Sequence, residues 1–264
     1  MRKYWFLFRV ALQTRFADRA NFYLEMIGNA LVTFALIAVW SSVSATSDAM
    51  RAVPSATLVL YFVVAGALMG FYRRSQGDEI ADDIYRGHLS FWLVKPVHPL
   101  LMWLLRDFAI RLIELPFLIG ISALLLSVTH VWNSISLTLD AIGWFVFFFL
   151  LAACLHFLLF SCVSLLAFWL DHTWGERFVL NVVMEVASGA LIPLAFFPPF
   201  WQQFLSALPF RHLVATPVEL LLGMRAITSA GNSILFLCFW IFSGIFLMQF
   251  LWQRGVRRYE GVGI

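Results

Sequence analysis

The chain has 264 residues, of which 62% are hydrophobic, 17% aromatic and 12% charged, and its mean hydropathy is +0.86. Soluble domains are roughly 45–50% apolar, so this balance excludes an ordinary water-soluble protein. The apolar runs are long and continuous rather than alternating, which selects membrane-spanning helices over a barrel.

Residues 1–20 read as an amphipathic interfacial helix. Arg2, Arg9 and Gln13 fall on one side, and Trp5, Phe8, Leu12 and Phe16 on a neighbouring one. Arg2, Lys3, Arg9, Arg15 and Arg19 precede the first span and favour a cytoplasmic position against anionic lipid. The charges interrupt any signal-peptide pattern, and the first apolar run is too long for one, so the N-terminus is expected to be retained. Six spans are then predicted, at about Leu24–Val43, Ser55–Tyr72, Leu112–Val128, Ile142–Leu170, Phe178–Leu194 and Ser233–Trp252. Gly66 and Gly70 in the second span form a G-x-x-x-G that permits close helix approach, although such matches are common by chance. Arg106, Asp107, Arg111 and Glu114 read as a paired collar at the cytoplasmic end of the third span, which Pro116 can kink. Asp171–Arg177 reads as a solvated turn. Beyond the fifth span, Pro193, Pro198, Pro199 and Pro209 forbid one straight helix, and the segment 193–231 is expected to hold two short helices re-entering the outer leaflet. Six spans place both termini on one side, and only Arg51, Arg211 and Arg225 of the 18 basic residues then lie outside. Cys154, Cys162 and Cys238 lie in apolar runs without metal or redox spacing and read as small core residues.

The loop 73–99 is the only long polar segment between apolar runs. Asp78, Glu79, Asp82 and Asp83 fall within six residues. Ser75 is placed to cap a helix with Asp78 three residues on, Ile80 and Ile84 share a face, and Gly87 is placed to end it, with Pro96 and Pro99 beyond. Most charged loops in membrane proteins are solvated connectors. A connector needs neither a capped helix with an apolar edge nor Phe91, Trp92 and Leu93 directly behind it, so this helix is read as built to touch a partner.

No G-x-x-x-x-G-K-[ST], H-E-x-x-H, C-x-x-C or G-x-S-x-G occurs. A membrane protein without its own energy-converting site is a passive pore, an ion-coupled transporter, or one subunit of a machine powered elsewhere. Three stretches resemble the permease subunits of ABC-2 type exporters: the opening MRKYWFLFRVALQTRFADRANFYLEMIGNAL, the loop DEIADDIYRGHLSFWLVKPVHPL, and LPFRHLVATPVELLLG near the end. The resemblance implies an all-α polytopic permease of six transmembrane helices in a bacterial inner membrane, forming one domain over 1–264. It implies pairing with a second permease, identical or related, and with ABC ATPase subunits beneath. No cofactor is expected on this chain, and ATP and Mg belong to the ATPase. By position, Glu79, Ile80, Asp83, Ile84, Arg86, Gly87 and Leu89 would form the coupling helix.

Glu185 lies inside an apolar span, where an ionised group is costly by a few kcal/mol or more. It is expected either to face the pathway or permease interface, or to sit protonated against a neighbouring helix. His156 is placed to meet it, although a satisfied core histidine is the commoner case. Two rivals stand beside the exporter. An ion-coupled secondary transporter would show inverted repeats and several paired intramembrane charges. A lipid-modifying enzyme would need a cluster such as Asp171, His172 and Glu176 at an interface.

Overall fold

The computed structural model describes residues 19–46, 54–73, 77–131, 137–226 and 230–259. The interfacial helix, apart from its last two residues, and the Ser75 cap lie outside these. Among the described residues every regular element is helical. In chain order they are α1 (Arg19–Thr46), α2 (Ser55–Arg73), α3 (Gly77–Tyr85), α4 (Leu89–Val94), α5 (Pro99–Val128), α6 (Leu139–Ser164), α7 (Trp174–Ala187), α8 (Pro199–Ala207), α9 (Ala215–Leu221) and α10 (Ala230–Arg258). Single 3-10 turns follow α6 at Leu165–Phe168 and occur at Leu194–Phe196 and Phe210–His212. Among the described residues five helices (α1, α2, α5, α6 with its 3-10 turn, and α10) are long and apolar enough to cross a membrane.

Helix α2 is the hub. In the most apolar stretch of each span, 67% of α2 is buried against only 6% of α10. Small residues bring α1 onto α2. A Cβ on Gly66 would strike the Thr33 side chain, and one on Gly70 would lie 2.6 Å from Leu118 and 2.8 Å from the Asn29 amide. The G-x-x-x-G is therefore a working contact here. Asn29 donates to the Gly66 carbonyl at 3.1 Å, and the Thr33 hydroxyl to the Asn29 carbonyl at 2.8 Å, so the polar groups at this seam are bonded. Around α2 the main core gathers Tyr61, Phe62, Tyr72, Phe148, Leu155 and Phe160. A second core at the α3 end of the bundle joins Ile80, Ile84, Leu89, Trp103, Leu165 and Phe168.

Three expectations change. The third span is one helix from Pro99 through Pro116 to Val128, about 45 Å at 1.5 Å per residue. Its Asp107–Arg111 pair is formed as expected, at 2.7 Å, but it is packed inside the chain: Asp107, Arg111 and Glu114 are at most 2% exposed, because α2 and α6 cover that face. The fifth apolar run yields only the 14 residues of α7, about 21 Å. Gly189 adopts φ +85° just beyond it, a left-handed turn that ends a helix and that only glycine adopts without strain. Finally, the turn read over Asp171–Arg177 is shorter, since α7 already starts at Trp174.

After Gly189 the chain folds back as two short helices, α8 and α9, in agreement with the proline pattern. Leu213 and Val214 between them and Ala215 and Thr216 at the start of α9 are completely buried, and the Ala215 amide bonds the Ser188 carbonyl at 3.0 Å. Because Gly66 sits where a side chain must displace Thr33, Gly66→Ala should lose about 1–3 kcal/mol through overpacking. Gly28→Ala, with open space around its Cβ, should be neutral or gain up to about 1 kcal/mol from helix propensity. Thermal unfolding of the two variants in detergent checks the difference.

Candidate functional site

Helix α3 is amphipathic, and its apolar edge points into the bundle. Ile80, Ala81 and Ile84 are at most 6% exposed, and Leu89 at the start of α4 is fully buried. Burial of each large aliphatic side chain contributes roughly 1.5–3 kcal/mol. Gly87, two residues past the end of the helix, has φ +74° and stops it, as the sequence suggested.

Its acidic residues divide between two tasks. Glu79 pairs with Arg106 of α5 at 3.0 Å, and Asp83 accepts from the Trp103 indole, also on α5, at 3.0 Å. His88 approaches Asp83 at 3.8 Å. Asp82 and Arg86 pair with each other at 3.5 Å and are 56% and 66% exposed; such a pair stabilises by only ~0–1 kcal/mol. Of the seven residues read as coupling residues, Ile80, Ile84 and Leu89 thus anchor the segment within the chain. Glu79 and Asp83 lock it to α5, Gly87 stops it, and Arg86 faces outward. Beyond it, α4 presents Phe91 (68% exposed) and Val94 (87%), and Lys95 lies over the Trp92 ring at 4.3 Å.

Burial pushes the Glu79 carboxyl up to about 7; Arg106 opposes this, and Asp83, Asp107 and Asp82 add to it. A carboxyl whose folded value exceeds its ordinary value of 4.5 favours the fold most when protonated. Its contribution is complete below pH 4.5 and is lost as pH rises through 7.

The second constellation lies inside the bundle. Arg111 grips Asp107 with two bonds, Nε at 2.7 Å and Nη2 at 3.0 Å. Its Nη1 donates to the Phe71 carbonyl at 2.6 Å, one of the orphan acceptors in the last turn of α2. Nη2 also lies 3.2 Å from His156 Nδ1. The guanidinium donates, so Nδ1 accepts and the ring proton sits on Nε2, a buried atom without a hydrogen-bond partner. The His156 ring is stacked between Tyr72 and Phe160, with centroids 4.8 and 4.4 Å away. His156 therefore meets Arg111 and not Glu185. Glu185 instead lines a small cavity of about 50 Å³ with Asn29, Thr33, Gly66 and Met69, between α1, α2 and α7; that is space for a water molecule.

The hairpin carries a third polar group. Arg211 pairs with Glu219 at 3.0 Å, and His212 Nδ1 lies 3.2 Å from the Thr216 hydroxyl. Sequence reasoning did not anticipate the tyrosines that meet this region. Tyr61 donates to the Gly189 carbonyl at 2.8 Å and Tyr72 to the Leu213 carbonyl at 3.2 Å. The available signal was two tyrosines inside an otherwise apolar run. No cluster of three or more metal-ligating side chains occurs among the described residues.

These features define a multi-pass, all-helical membrane protein with a folded polar helix docked at one end of its bundle. The family described as ABC-2 family transporter protein matches residues 20–263, and the chain belongs to that family. No curated protein and no solved structure gives a match to it.

Two outcomes follow. Arg111→Ala removes the cation that grips the buried Asp107 carboxylate with two bonds and should cost about 3–5 kcal/mol, read as a large fall in Tm or in folded yield, whereas Arg111→Ala with Asp107→Leu should recover part of it. Stability of the wild type should decline between about pH 5 and pH 7.5, and Glu79→Gln should flatten that slope in a pH series of thermal unfolding curves.

Proposed function

We propose that the chain is the transmembrane permease subunit of an ATP-driven exporter, forming half of the translocation pathway beside a second permease and drawing its work from separate ATPase subunits that hold ATP and Mg. Hydrolysis then belongs to the partner, and this chain is not an enzyme. Membership of the ABC-2 family supports a permease of this kind. The observation that carries the coupling role is α3 itself: its apolar edge is sunk in the bundle and tied to α5 by the Glu79 and Asp83 contacts, while Asp82 and Arg86 stay outside. A partner with two nucleotide-dependent states can bias a membrane protein only through a contact that differs between those states. A helix held rigidly to the bundle and charged on its free side meets that need.

In this reading α3 lies in the cytoplasm and both termini are cytoplasmic, in a bacterial inner membrane. Helix α7, extended by the backbone up to Leu194–Phe196, makes the sixth crossing, and the α8–α9 hairpin re-enters from the outside. Fourteen residues of α7 fall short of the ~20 that a spanning helix needs, and the turn beyond them supplies the remaining depth. The Asp107–Arg111 pair is a charge pair of the sort an ion-coupled transporter would use, but at 2% exposure on each side chain it is sealed.

Surface reversals test the coupling face without disturbing the core. Asp82→Arg with Arg86→Asp keeps the pair within α3 but swaps the charges offered to a partner. It should weaken ATPase binding about tenfold, ~1.4 kcal/mol, and lower transport-linked hydrolysis, while leaving the Tm of the isolated permease unchanged. Unaltered binding and hydrolysis in the reconstituted complex would remove α3 from the coupling role.

A further inference from the structure

A groove of about 610 Å³ runs between α5, α6 and α10. Its walls are apolar: Leu101 and Leu104 of α5, Phe157 and Leu158 of α6, and Ile241 and Ile245 of α10. Ile241, Ile245, Met248, Gln249 and Trp252 recur at helical spacing and form one stripe of α10 facing it. Polar groups enter only at one end, where His98, Gln249 and Gln253 line the groove and the His98 ring lies 5.9 Å from that of Trp252. Cations stand near that end without lining the groove: Lys95 lies over the Trp92 ring and Arg254 over the Phe250 ring, and Arg257 and Arg258 follow in the chain.

The dimensions decide what fits. From Ile241 to Gln253 the stripe extends about 18 Å at 1.5 Å per residue, slightly more than half of a ~30 Å hydrocarbon core and so about the reach of one acyl chain. Apolar along its length, polar at one end, flanked by cations and one leaflet long, the groove has the order of parts of an anionic phospholipid.

We propose that this groove is a lipid site: an acyl chain of an anionic phospholipid lies along α10 between α5 and α6, with its headgroup phosphate at the His98–Gln253 end near Lys95 and Arg254. Which leaflet supplies the lipid rests on the topology proposed above; occupancy of the groove does not. The site would brace α10, the least buried span, against the rest of the bundle. It would also fix the α5 end that carries Trp103 and Arg106, the two residues holding α3.

The test uses the full-length chain in nanodiscs without any ATPase, so failure of the exporter reading does not affect it. Phosphatidylglycerol with a photoactivatable acyl chain is crosslinked, and the labelled peptides are mapped by mass spectrometry. Labelling should concentrate on 98–104, 154–158 and 241–253 and fall at least fivefold in Ile245→Trp and in Leu158→Trp, either of which fills the groove. Leu235→Trp, on an exposed position of α10 that does not line it, should leave labelling unchanged. Phosphatidylcholine should compete at least fivefold less well than phosphatidylglycerol, and Lys95→Gln with Arg254→Gln should abolish that preference. Labelling that is indifferent to both filling variants overturns the site. So does a Gln249→Cys chain that oxidises to a disulfide dimer with these peptides unlabelled, since a second copy would then cover the face. Equal competition by the two lipids overturns the headgroup assignment.

Discussion

The bundle depends on how the Arg111 charge is held. A guanidinium that is 2% exposed has lost nearly all of its hydration, and in such surroundings a single counter-charge rarely compensates. Here several acceptors converge: both Asp107 oxygens, the Phe71 carbonyl and His156 Nδ1. They come from α5, α2 and α6, so the charge is satisfied only when those three helices stand in one arrangement. Tyr72 extends the group. Its ring covers His156, and its hydroxyl reaches the Leu213 carbonyl in the hairpin. One buried cation thus fixes the relative placement of the end of α2, the middle of α5 and α6, and the buried segment between α8 and α9.

The hairpin obeys a related constraint. Backbone that is not helical has carbonyls to satisfy, and in an apolar setting water is absent. Four aromatic side chains supply donors from the surrounding helices. Trp40 of α1 bonds the Leu191 carbonyl, Tyr61 and Tyr72 of α2 bond those of Gly189 and Leu213, and Trp240 of α10 bonds that of Ala207. Each brings a large apolar ring with one polar handle, which suits a position against apolar neighbours and an orphan acceptor. The broken helices between Pro193 and Gly223 are therefore held from three sides.

Much of the fold was legible because the information is local. A run of twenty apolar residues declares a span, prolines at 193, 198, 199 and 209 declare a break, and Gly87 declares a stop; each needs only its neighbours. What was not legible depends on partners distant in sequence. That Asp107, Arg111 and Glu114 are packed inside the chain shows only when α2 and α6 are laid over them. The end of α7 was overrun because Ser188–Ala190 is as compatible with a helix as with a turn. It is the contact of Gly189 with Tyr61 and of Ser188 with Ala215 that decides. Gly66 and Gly70 were visible as a pair, but only Thr33 and Asn29 across the seam distinguish a working contact from a chance match. For α3 the amphipathic pattern and the stop at Gly87 were clear. Its direction was not, because an edge of Ile80 and Ile84 looks the same whether it meets a partner or the chain's own core.

That direction changes what α3 can do. Its two polar anchors, Glu79 and Asp83, are one turn apart, and they meet Arg106 and Trp103, which are three residues apart on α5. Two such contacts resist sliding and rotation together in a way that one does not, and the buried isoleucines resist lifting. Along α5, Trp103, Asp107 and Arg111 then follow at four-residue intervals, with Leu118 two turns further on against Gly70, so they occupy one face. The residue that receives Asp83 and the residues that hold the central cation are therefore neighbours on a single continuous helix. A force applied to the outer, charged side of α3 has no compliant loop to dissipate it before α5, and α5 cannot move far without disturbing Arg111. This geometry suits a subunit whose energy comes from outside its own chain.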